Sequence, residues 1–466
     1  MNTMKNRLLR VVLIVASVAT LTDSQSTRAA DIVTDWNKIL RDVMQDVPAK
    51  ANPGTSTRAM AMTNGAIYDV FQSVNRTHAP LLFKHRVSDV SLEAAVAQAA
   101  YRTIVSNYVE ESIFLQNELN SSLDAIADSP EKTAGIALGN EVADKYISWR
   151  QNDGSELSGT YQLNNQPGHW QSDPFATTPQ VAWGPGWGTV KTFGMLTPNQ
   201  FAVPGVPDMT SPEYTAAYNE VKEKGALIGS TRTEEETEIG LFWAYDRPTM
   251  GPPPIMFSQN IYEIGEQLGN TVEENARLFA MASVAMADAS VAAWQIKFQD
   301  DFWRPVTGIR HGDSDGNADT MGDPDWRPLG APGGDPNNFT DDFTPPFPAY
   351  VSGHATFGGA LFETLRNFYG TDSVSYTLSS DELPDGQNVR SYTDFTTAEW
   401  ENGISRVYLG VHWSFDSVDG IALGNQIADW IDGNYFYAVP EPGTIVLALS
   451  VGMLCFSRNS RRKSRV

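Results

Sequence analysis

Three short stretches of the chain carry basic, histidine and serine side chains at spacings that could bind an anion. The first, "WQIKFQDDFWRP", places Lys297 and Arg304 seven residues apart, with Pro305 directly after. On a helix both cations would share one face, about 10 Å apart, and Pro305 would end that helix near Arg304. Two cations on a helix are also typical of a solvated surface, and this stretch alone leaves both interpretations open.

The second stretch, "FPAYVSGHATFGGA", predicts a tight turn that opens a helix. Ser352 occupies the expected N-cap position, Gly353 allows close backbone approach, and His354 follows at the helix start. The free N–H groups and the helix dipole of such a turn attract an anion. A plain helix cap without a ligand is the alternative.

The third stretch is "NGISRVYLGVHWSFDSVDG". Arg406 and His412 are six residues apart, which would put them on different faces of one helix, but Gly410 is expected to break the helix so that both reach one point. Asp416, four residues after His412, could accept the imidazole N–H and fix the tautomer. A structural histidine is the alternative here.

Taken together, these stretches resemble the signature of a known superfamily. Lys-x6-Arg-Pro, then Ser-Gly-His, then Ser-Arg-x5-His-x3-Asp is similar to the three-part pattern of the vanadium haloperoxidases and type-2 phosphatidic acid phosphatases. The resemblance is specific over residues 286–427 and looser back to about residue 211. One departure is Val351, where the family usually has proline, and no side-chain contact should be lost with it.

The resemblance implies a role for each residue around a tetrahedral oxyanion, vanadate or phosphate. The anion-binding set would be Lys297, Arg304, Ser352, Gly353 and Arg406. His412 would be bonded to vanadium, or would be the nucleophile of a phosphatase. His354 would be the acid or base at the opposite oxygen, Lys297 would assist catalysis, and Asp416 would hold His412.

Because vanadate and phosphate share shape and nearly share charge, these residues do not separate the two activities. Trp294, one turn before Lys297, and Phe347, five residues before Ser352, stand at positions like those of an aromatic pair in the chloroperoxidase branch. Ordinary core packing of both rings is the alternative. The surrounding segments resemble the soluble haloperoxidases, and the middle of the chain lacks the several apolar spans of the membrane phosphatases.

We therefore expect a vanadium-dependent haloperoxidase that oxidises halide with hydrogen peroxide to hypohalous acid. A vanadate-inhibitable acid phosphatase with His412 as nucleophile is the alternative enzyme. An envelope or matrix protein that keeps the fold without catalysis is the alternative of another class. The resemblance also implies vanadate as cofactor and a homodimer as one oligomeric arrangement.

A further acidic motif, "HGDSDGNAD", places four oxygen-bearing side chains at alternate positions: Asp313, Asp315, Asn317 and Asp319. The spacing suggests a calcium loop, but Gly316 is misplaced for an EF-hand and no glutamate follows at the required distance. A solvated acidic loop is favoured, with calcium as the alternative.

Composition restricts the partners and the chemistry. The formal net charge of −23 in 466 residues argues against nucleic acid and anionic membrane surfaces as partners. The chain has one cysteine, Cys455, so neither disulfides nor thiolate metal sites can hold the fold. The hydrophobic content of 41% is enough for a sizeable core.

Apolar residues recur at helical spacing, which predicts an all-α fold with two helical-bundle halves and long irregular loops, like the chloroperoxidase branch. Residues 31–210 would form an N-terminal helical region with a wrapping loop, and residues 211–438 a C-terminal bundle with the anion site. Predicted helices cover residues 35–44, 56–74, 91–108, 112–127, 132–149, 212–226, 234–245, 254–268, 272–303, 354–369 and 415–431. Irregular segments are predicted for residues 151–210 and 310–350.

Both ends of the chain read as targeting signals. Basic residues precede the apolar run at residues 11–19, and a small-residue cleavage site follows near Ala30, so residues 1–30 are a predicted signal peptide. Residues 439–466 combine Pro-Glu-Pro, an apolar stretch of about a dozen residues and a basic tail, and resemble a PEP-CTERM sorting signal. A plain tail anchor is the alternative. We expect an exported protein of the bacterial cell envelope or exterior, handled by envelope sorting machinery.

Overall fold

The computed structural model describes residues 31–157, 159–246, 250–333, 342–384 and 386–439. The predicted signal peptide, the predicted C-terminal signal beyond Val439 and Cys455 lie outside these ranges. Those predictions therefore stay predictions.

The described residues form a mainly helical fold, which confirms the predicted all-α class. Thirteen α-helices lie within the ranges given above, and they are α1 Ile32–Asp46, α2 Pro53–Val74, α3 Leu92–Asn107, α4 Ser112–Asp124, α5 Pro130–Arg150, α6 Pro212–Lys224, α7 Glu234–Phe242, α8 Pro253–Leu268, α9 Val272–Asp300, α10 Pro305–Arg310, α11 Gly353–Tyr369, α12 Phe395–Tyr408 and α13 Ser414–Asn434. Strands β1 Tyr376–Ser379 and β2 Val389–Tyr392 pair antiparallel, with Tyr376 opposite Tyr392.

The long helix α9 lies at the centre of the fold. A capping box starts it, in which Thr271 accepts from the Glu274 N–H and Glu274 bonds back to the Thr271 N–H. Its faces pack against α2 from the N-terminal half and against α11 and α13 from the C-terminal half. It is long and apolar enough to cross a membrane, but 94% of that apolar window is buried inside the protein. Such burial is typical of a core helix.

Helices α11 and α13 pack closely through glycines. A Cβ on Gly424 would lie 2.3 Å from the Thr356 carbonyl oxygen, and one on Gly359 would lie 2.5 Å from the Ile421 carbonyl oxygen. Any side chain would therefore push the two helices apart. Because α11 begins just after Ser352 and α13 begins just after His412, this contact fixes the distance between two of the predicted site stretches.

Two buried aspartates anchor irregular chain to helices. Asp69 of α2 accepts the N–H groups of Leu81, Leu82 and Phe83 at 2.7, 2.8 and 2.6 Å, and the Tyr146 hydroxyl at 2.8 Å. The second aspartate, in α9, holds the long segment between α5 and α6 in the same manner: Asp288 accepts from residues 193, 194 and 195 at 2.5, 2.8 and 2.6 Å. Backbone that would otherwise be buried without partners is thus satisfied.

The structure corrects one sequence expectation about the site. Helix α9 ends at Asp300, and Asp301 adopts a left-handed conformation with φ +52°. Arg304 is extended, with φ −80° and ψ 158°, and Pro305 begins α10. Lys297 and Arg304 therefore do not share a helix face. The prediction failed because a residue that tolerates positive φ stops the helix before proline can.

Two further elements, α10 and the β1–β2 hairpin, were absent from the sequence prediction, and α12 was expected only as a helix of unstated start that Gly410 breaks. Helix α12 is capped by Asp394, which accepts the Thr397 N–H, but its threonines and Gly403 weaken the helical signal. One hydrophobic core spans both predicted halves, from Val33 to Phe436. The division between residues 210 and 211 stays a prediction.

Candidate functional site

The predicted site residues surround one small pocket, and Gly353, Arg406 and both predicted histidines form part of its wall. Its polar walls come from Asp246, His354, Arg406 and His412. These four residues lie just after α7, at the start of α11, near the end of α12 and just before α13. The N-terminal half also contributes to the wall, through Pro53 at the start of α2.

Lys297 lies fully buried in the last turn of α9 beside this pocket. Its Nζ donates to the carbonyl oxygens of Pro348 and Ala349 at 2.9 and 2.8 Å, and lies 5.2 Å from the centre of the Phe347 ring. Burial and the neighbouring Arg304 hold the pKa of Lys297 well below its usual value. A bound anion would favour the charged form again.

Arg304, like Lys297, is fully buried. Its Nε donates to the Phe347 carbonyl oxygen at 2.9 Å, and its Nη1 donates to the Val411 carbonyl oxygen at 2.8 Å and meets His412 Nε2 at 2.9 Å. Its Nη2 is buried and has no hydrogen-bond partner among the described residues. Burial lowers the pKa of Arg304 to about 9, against the opposing charge of Asp416.

Arg406, in the last turn of α12, is held on three sides. Its Nε donates to Ser405 Oγ at 3.1 Å, its Nη2 to the Trp243 carbonyl oxygen at 2.9 Å, and its Nη1 to Asp246 Oδ2 at 3.3 Å. Burial lowers the pKa of Arg406 to about 10, which Asp246 opposes.

Asp246 is a site residue that sequence reasoning missed. Burial raises the pKa of this carboxyl to about 7, although Arg406 opposes that change. The only sequence signal is an aspartate before Arg-Pro in "FWAYDRP", 160 residues before Arg406. No spacing rule joins such distant positions, so only the fold reveals the pair.

The Ser-Gly-His turn opens α11 as predicted. Ser352 caps the helix by accepting the Ala355 N–H at 3.3 Å, and its own N–H donates to the Asp416 carbonyl oxygen at 2.9 Å. A Cβ on Gly353 would lie 2.9 Å from the Trp294 ring, so glycine is needed for this ring to pack here. The N–H groups of Gly353 and His354, the first two of the helix, have no partner within it and can bind a ligand.

His354 presents an imidazole with no assigned partner. Both ring nitrogens are buried without a hydrogen bond to any described residue, and the ring packs 5.6 Å from that of Phe257. Burial and the charge of Arg406 hold the pKa of His354 well below its usual value. The ring is therefore neutral and can accept a proton.

His412 has its tautomer fixed by its neighbours. Its Nδ1 lies 2.8 Å from Asp416 Oδ2. Because an arginine can only donate, Nε2 must accept from Arg304, and Nδ1 must carry the proton that Asp416 accepts. Burial, followed by the charges of Arg304 and Lys297, holds the pKa of His412 well below its usual value. The Nε2 lone pair is thus directed at Arg304 Nη1.

Asp416 completes this arrangement from the first turn of α13. Its Oδ2 also accepts the Trp413 N–H at 3.1 Å, which fixes the carboxylate in place. Burial raises the pKa of Asp416 to about 7, against the opposing charge of Lys297. Asp416 therefore positions His412 as the sequence pattern predicts.

An aromatic pair forms the apolar wall. The rings of Trp294 and Phe347 lie 5.0 Å apart at 56°, and both line the pocket. Phe347 also lies 4.9 Å from the Arg304 guanidinium carbon. The pair therefore excludes water from one side of the cations.

This donor set fits a tetrahedral oxyanion. Three buried cations face two carboxylates, and their pKa values are lowered because burial penalises their charge. The buried polar atoms here that have no partner within the described chain include Arg304 Nη2 and both nitrogens of His354, together with Trp294 Nε1 and Asp416 Oδ1. An anion with several oxygens would relieve both the charge and the missing hydrogen bonds.

The structure does not support a calcium site in the acidic loop of residues 313–319. Asp313 Oδ1 accepts the Gly322 N–H, Asp315 accepts the Asn317 N–H and the Thr320 hydroxyl, and Asn317 Oδ1 accepts the Asp319 N–H. These oxygens thus stabilise the loop itself. No group of three acidic, histidine or cysteine side chains suited to a metal exists among the residues described.

Comparisons with known proteins agree with this geometry. Residues 277–435, which include every predicted site residue, match the family model for the second helical-bundle domain of VCPO. The chain is 29% identical over 463 residues to a vanadium chloroperoxidase of Curvularia inaequalis, covering 78% of this chain and 75% of that protein.

Solved structures show the same fold. A bacterial vanadium-dependent iodoperoxidase superposes with a TM-score of 0.74 at 21% identity, covering 88% of this chain and 98% of that one. A holo-type bacterial vanadium-dependent chloroperoxidase gives a TM-score of 0.63 at 17% identity, covering 84% and 95%.

Proposed function

Because this chain belongs to the vanadium haloperoxidase superfamily, we propose that it is a vanadium-dependent haloperoxidase that oxidises halide with hydrogen peroxide to hypohalous acid. The observation that carries the proposal is one pocket lined by His354, Arg406 and His412, with Arg304 bonded to His412 Nε2 and Lys297 buried against the lining ring of Phe347. When bound, vanadate supplies Lewis acidity that activates hydrogen peroxide without a change of oxidation state.

The cations would hold the negative charge of the cofactor. Arg304 would donate through its unpartnered Nη2, and Arg406 and Lys297 would add charge from the ends of α12 and α9. Each is fixed by bonds to carbonyl oxygens, so the side chains are in place before the ligand arrives. Preorganised charge in a buried site acts more strongly than mobile charge in water.

The two histidines would have different tasks. The Nε2 lone pair of His412 would be the protein ligand for vanadium, in place of its present bond to Arg304, and Asp416 keeps that tautomer by accepting the Nδ1 proton. His354 is neutral and has unpartnered ring nitrogens, so it would accept a proton from hydrogen peroxide and later return it. Trp294 and Phe347 would limit hydration of the halide.

The test is reconstitution of the vanadate-free protein with orthovanadate. We expect oxidation of chloride, bromide or iodide that requires both vanadate and hydrogen peroxide, measured as halogenation of monochlorodimedone or as triiodide absorbance. The His412→Ala variant is the control for the ligand. Halide oxidation that does not depend on vanadate would refute the proposal.

The same preparation separates the alternative functions. Hydrolysis of p-nitrophenyl phosphate that vanadate inhibits, without halide oxidation, would favour an acid phosphatase with His412 as nucleophile. Loss of both activities, together with no binding of vanadate to the folded protein, would favour a scaffold of the envelope.

We also propose that the protein acts outside the cytoplasm, on the basis of the terminal sequence signals alone. Mass spectrometry of the protein isolated from its host would test this. We expect a new N-terminus near residue 31 and loss of the apolar tail after residue 439. An intact Met1 on the accumulated protein would contradict export.

A further inference from the structure

A second cavity, which we name the vestibule, adjoins the anion pocket. It has a volume of about 210 Å³, which suits a ligand smaller than a drug-sized molecule. Both cavities are lined by Pro53, Asp246, Pro345 and Phe347. A molecule in the vestibule would thus rest against the same Phe347 ring that faces Lys297 and Arg304.

The walls of the vestibule are apolar and rigid. Proline contributes four of them, from residues 53, 252, 345 and 346, and three rings come from Trp183, Phe343 and Phe347. Proline has a fixed φ and almost no side-chain entropy to lose, so such walls are formed before a ligand binds. The backbone N–H of Trp183 donates to the Pro346 carbonyl oxygen at 2.8 Å, which fixes this residue at the cavity wall.

The ring surfaces favour a flat apolar ligand. Trp183 and Phe343 are half-buried, so part of each ring faces the cavity or solvent. Polar groups are confined to Asn52 at one side and the carboxylate of Asp246 at the boundary with the anion pocket. Phenols match this combination, because an aromatic face stacks on rings and a hydroxyl can donate to a carboxylate.

We propose that the vestibule binds an electron-rich aromatic compound of the phenol class and presents it for halogenation. This inference rests on the proposed function, which supplies hypohalous acid from the adjoining pocket. In the reaction a ring carbon forms a bond to halogen as the halogen–oxygen bond breaks. The ring loses one proton to the departing hydroxide, and water leaves. The ring is oxidised by two electrons and the halogen is reduced from the +1 to the −1 state.

The first experiment measures binding without turnover, with 2-naphthol and the vanadate-free full-length protein in isothermal titration calorimetry. We expect one site with a dissociation constant of roughly millimolar or lower, as suits a ligand of this size. Phe343→Ser removes one wall, and Ala51→Trp fills the space. Each should weaken 2-naphthol binding about threefold to tenfold. Phe201→Ser, which alters a half-buried ring packed on Trp430 outside both cavities, is the matched control.

The second experiment measures halide oxidation in the same proteins loaded with vanadate. Triiodide formation without naphthol should change less than twofold in Phe343→Ser and Ala51→Trp, because neither residue touches the anion pocket. With naphthol present, the two variants should release more triiodide and less iodonaphthol than the native protein and Phe201→Ser.

The outcomes distinguish the two proposals. Halide oxidation with no naphthol binding, or with binding that both variants leave unchanged, overturns the vestibule proposal alone. Naphthol binding in a protein that shows no vanadate-dependent halide oxidation overturns the proposed function and, with it, halogenation in the vestibule.

Discussion

Asp288 and Arg304 are both buried charged residues at or near the C-terminal part of α9, but their surroundings differ. Asp288 accepts three backbone N–H groups, so both of its carboxylate oxygens have partners within the chain. Arg304 is fixed through Nε and Nη1 and keeps Nη2 without a partner among the described residues. One charge holds a loop, and the other is held ready for a ligand.

The same contrast applies to the two regions as wholes. Around Asp69 and Asp288 the carboxylates bond to backbone of irregular segments, which stabilises the fold. Around the anion pocket the carbonyl oxygens of irregular backbone hold cations and leave some donors unused. A buried charged residue with unused hydrogen-bonding atoms therefore indicates a functional site. One whose hydrogen bonds are all made within the chain indicates a structural role.

The largest effect is expected for His412→Ala. This change removes the Nε2 lone pair that faces Arg304, and we expect vanadate-dependent halide oxidation to fall by about 10³-fold or more. The midpoint of urea unfolding should change little, because the ring takes part in the site more than in the core. His311→Ala, at an exposed histidine, is the control and should keep full activity. Activity within tenfold of the native value in His412→Ala would remove this histidine from the mechanism.

Asp288→Ala should have the opposite effects: lower stability and unchanged activity of the folded protein. Three buried N–H groups would lose their acceptor, and at about 1–3 kcal/mol each the free energy of unfolding should fall by roughly 4 kcal/mol. The fraction that remains folded should oxidise halide at the native rate. Urea unfolding followed by tryptophan fluorescence measures the loss, with Asp128→Ala on the exposed surface as control. A loss below 1 kcal/mol would show that solvent replaces the carboxylate.

The contribution of Asp69 to the stability of the fold should depend on pH. Burial raises the pKa of Asp69 from 3.8 to about 6, although its four hydrogen bonds oppose the change. Between these pH values the folded state holds more protons than the unfolded state. The stabilisation is therefore complete below about pH 4 and is lost as pH rises through about 6, by about 3 kcal/mol in total.

The matched variant for this prediction is Asp69→Asn, which does not titrate. The difference in free energy of unfolding between native protein and variant, measured from pH 4 to pH 7, should shrink as pH rises. A difference that stays constant or grows with pH would mean that the four hydrogen bonds outweigh burial and keep the carboxylate charged.

Local patterns were enough to predict much of this molecule. The cap at Ser352 and the break at Gly410 follow from residue preferences within a few positions, and the structure has both. Distant pairs follow no such rule: Asp246 meets Arg406 because α7 packs against α12, and α12 itself carries a weak helical signal. The sequence prediction also placed the end of α9 three residues too late. An aspartate such as Asp301 adopts a left-handed backbone and ends a helix only where the tertiary fold favours that conformation, which sequence alone does not reveal.

A substitution at Asp301, where α9 ends, should have the smallest effect on stability, and it tests whether burial separates the two classes of charged residue. Asp301 Oδ2 lies 2.8 Å from His169 Nδ1, and the Tyr161 hydroxyl donates to Asp301 Oδ1 at 2.5 Å, but the His169 side chain is 39% exposed. Asp301→Asn keeps an acceptor for the tyrosine and a residue that tolerates positive φ, so it removes the charge and replaces the oxygen that faces His169 by an N–H donor. Because solvent screens an exposed pair, we expect the free energy of unfolding to fall by less than about 1 kcal/mol. A loss as large as that of Asp288→Ala would show that charge near α9 stabilises the fold whether or not it is buried, and burial would no longer separate the two classes.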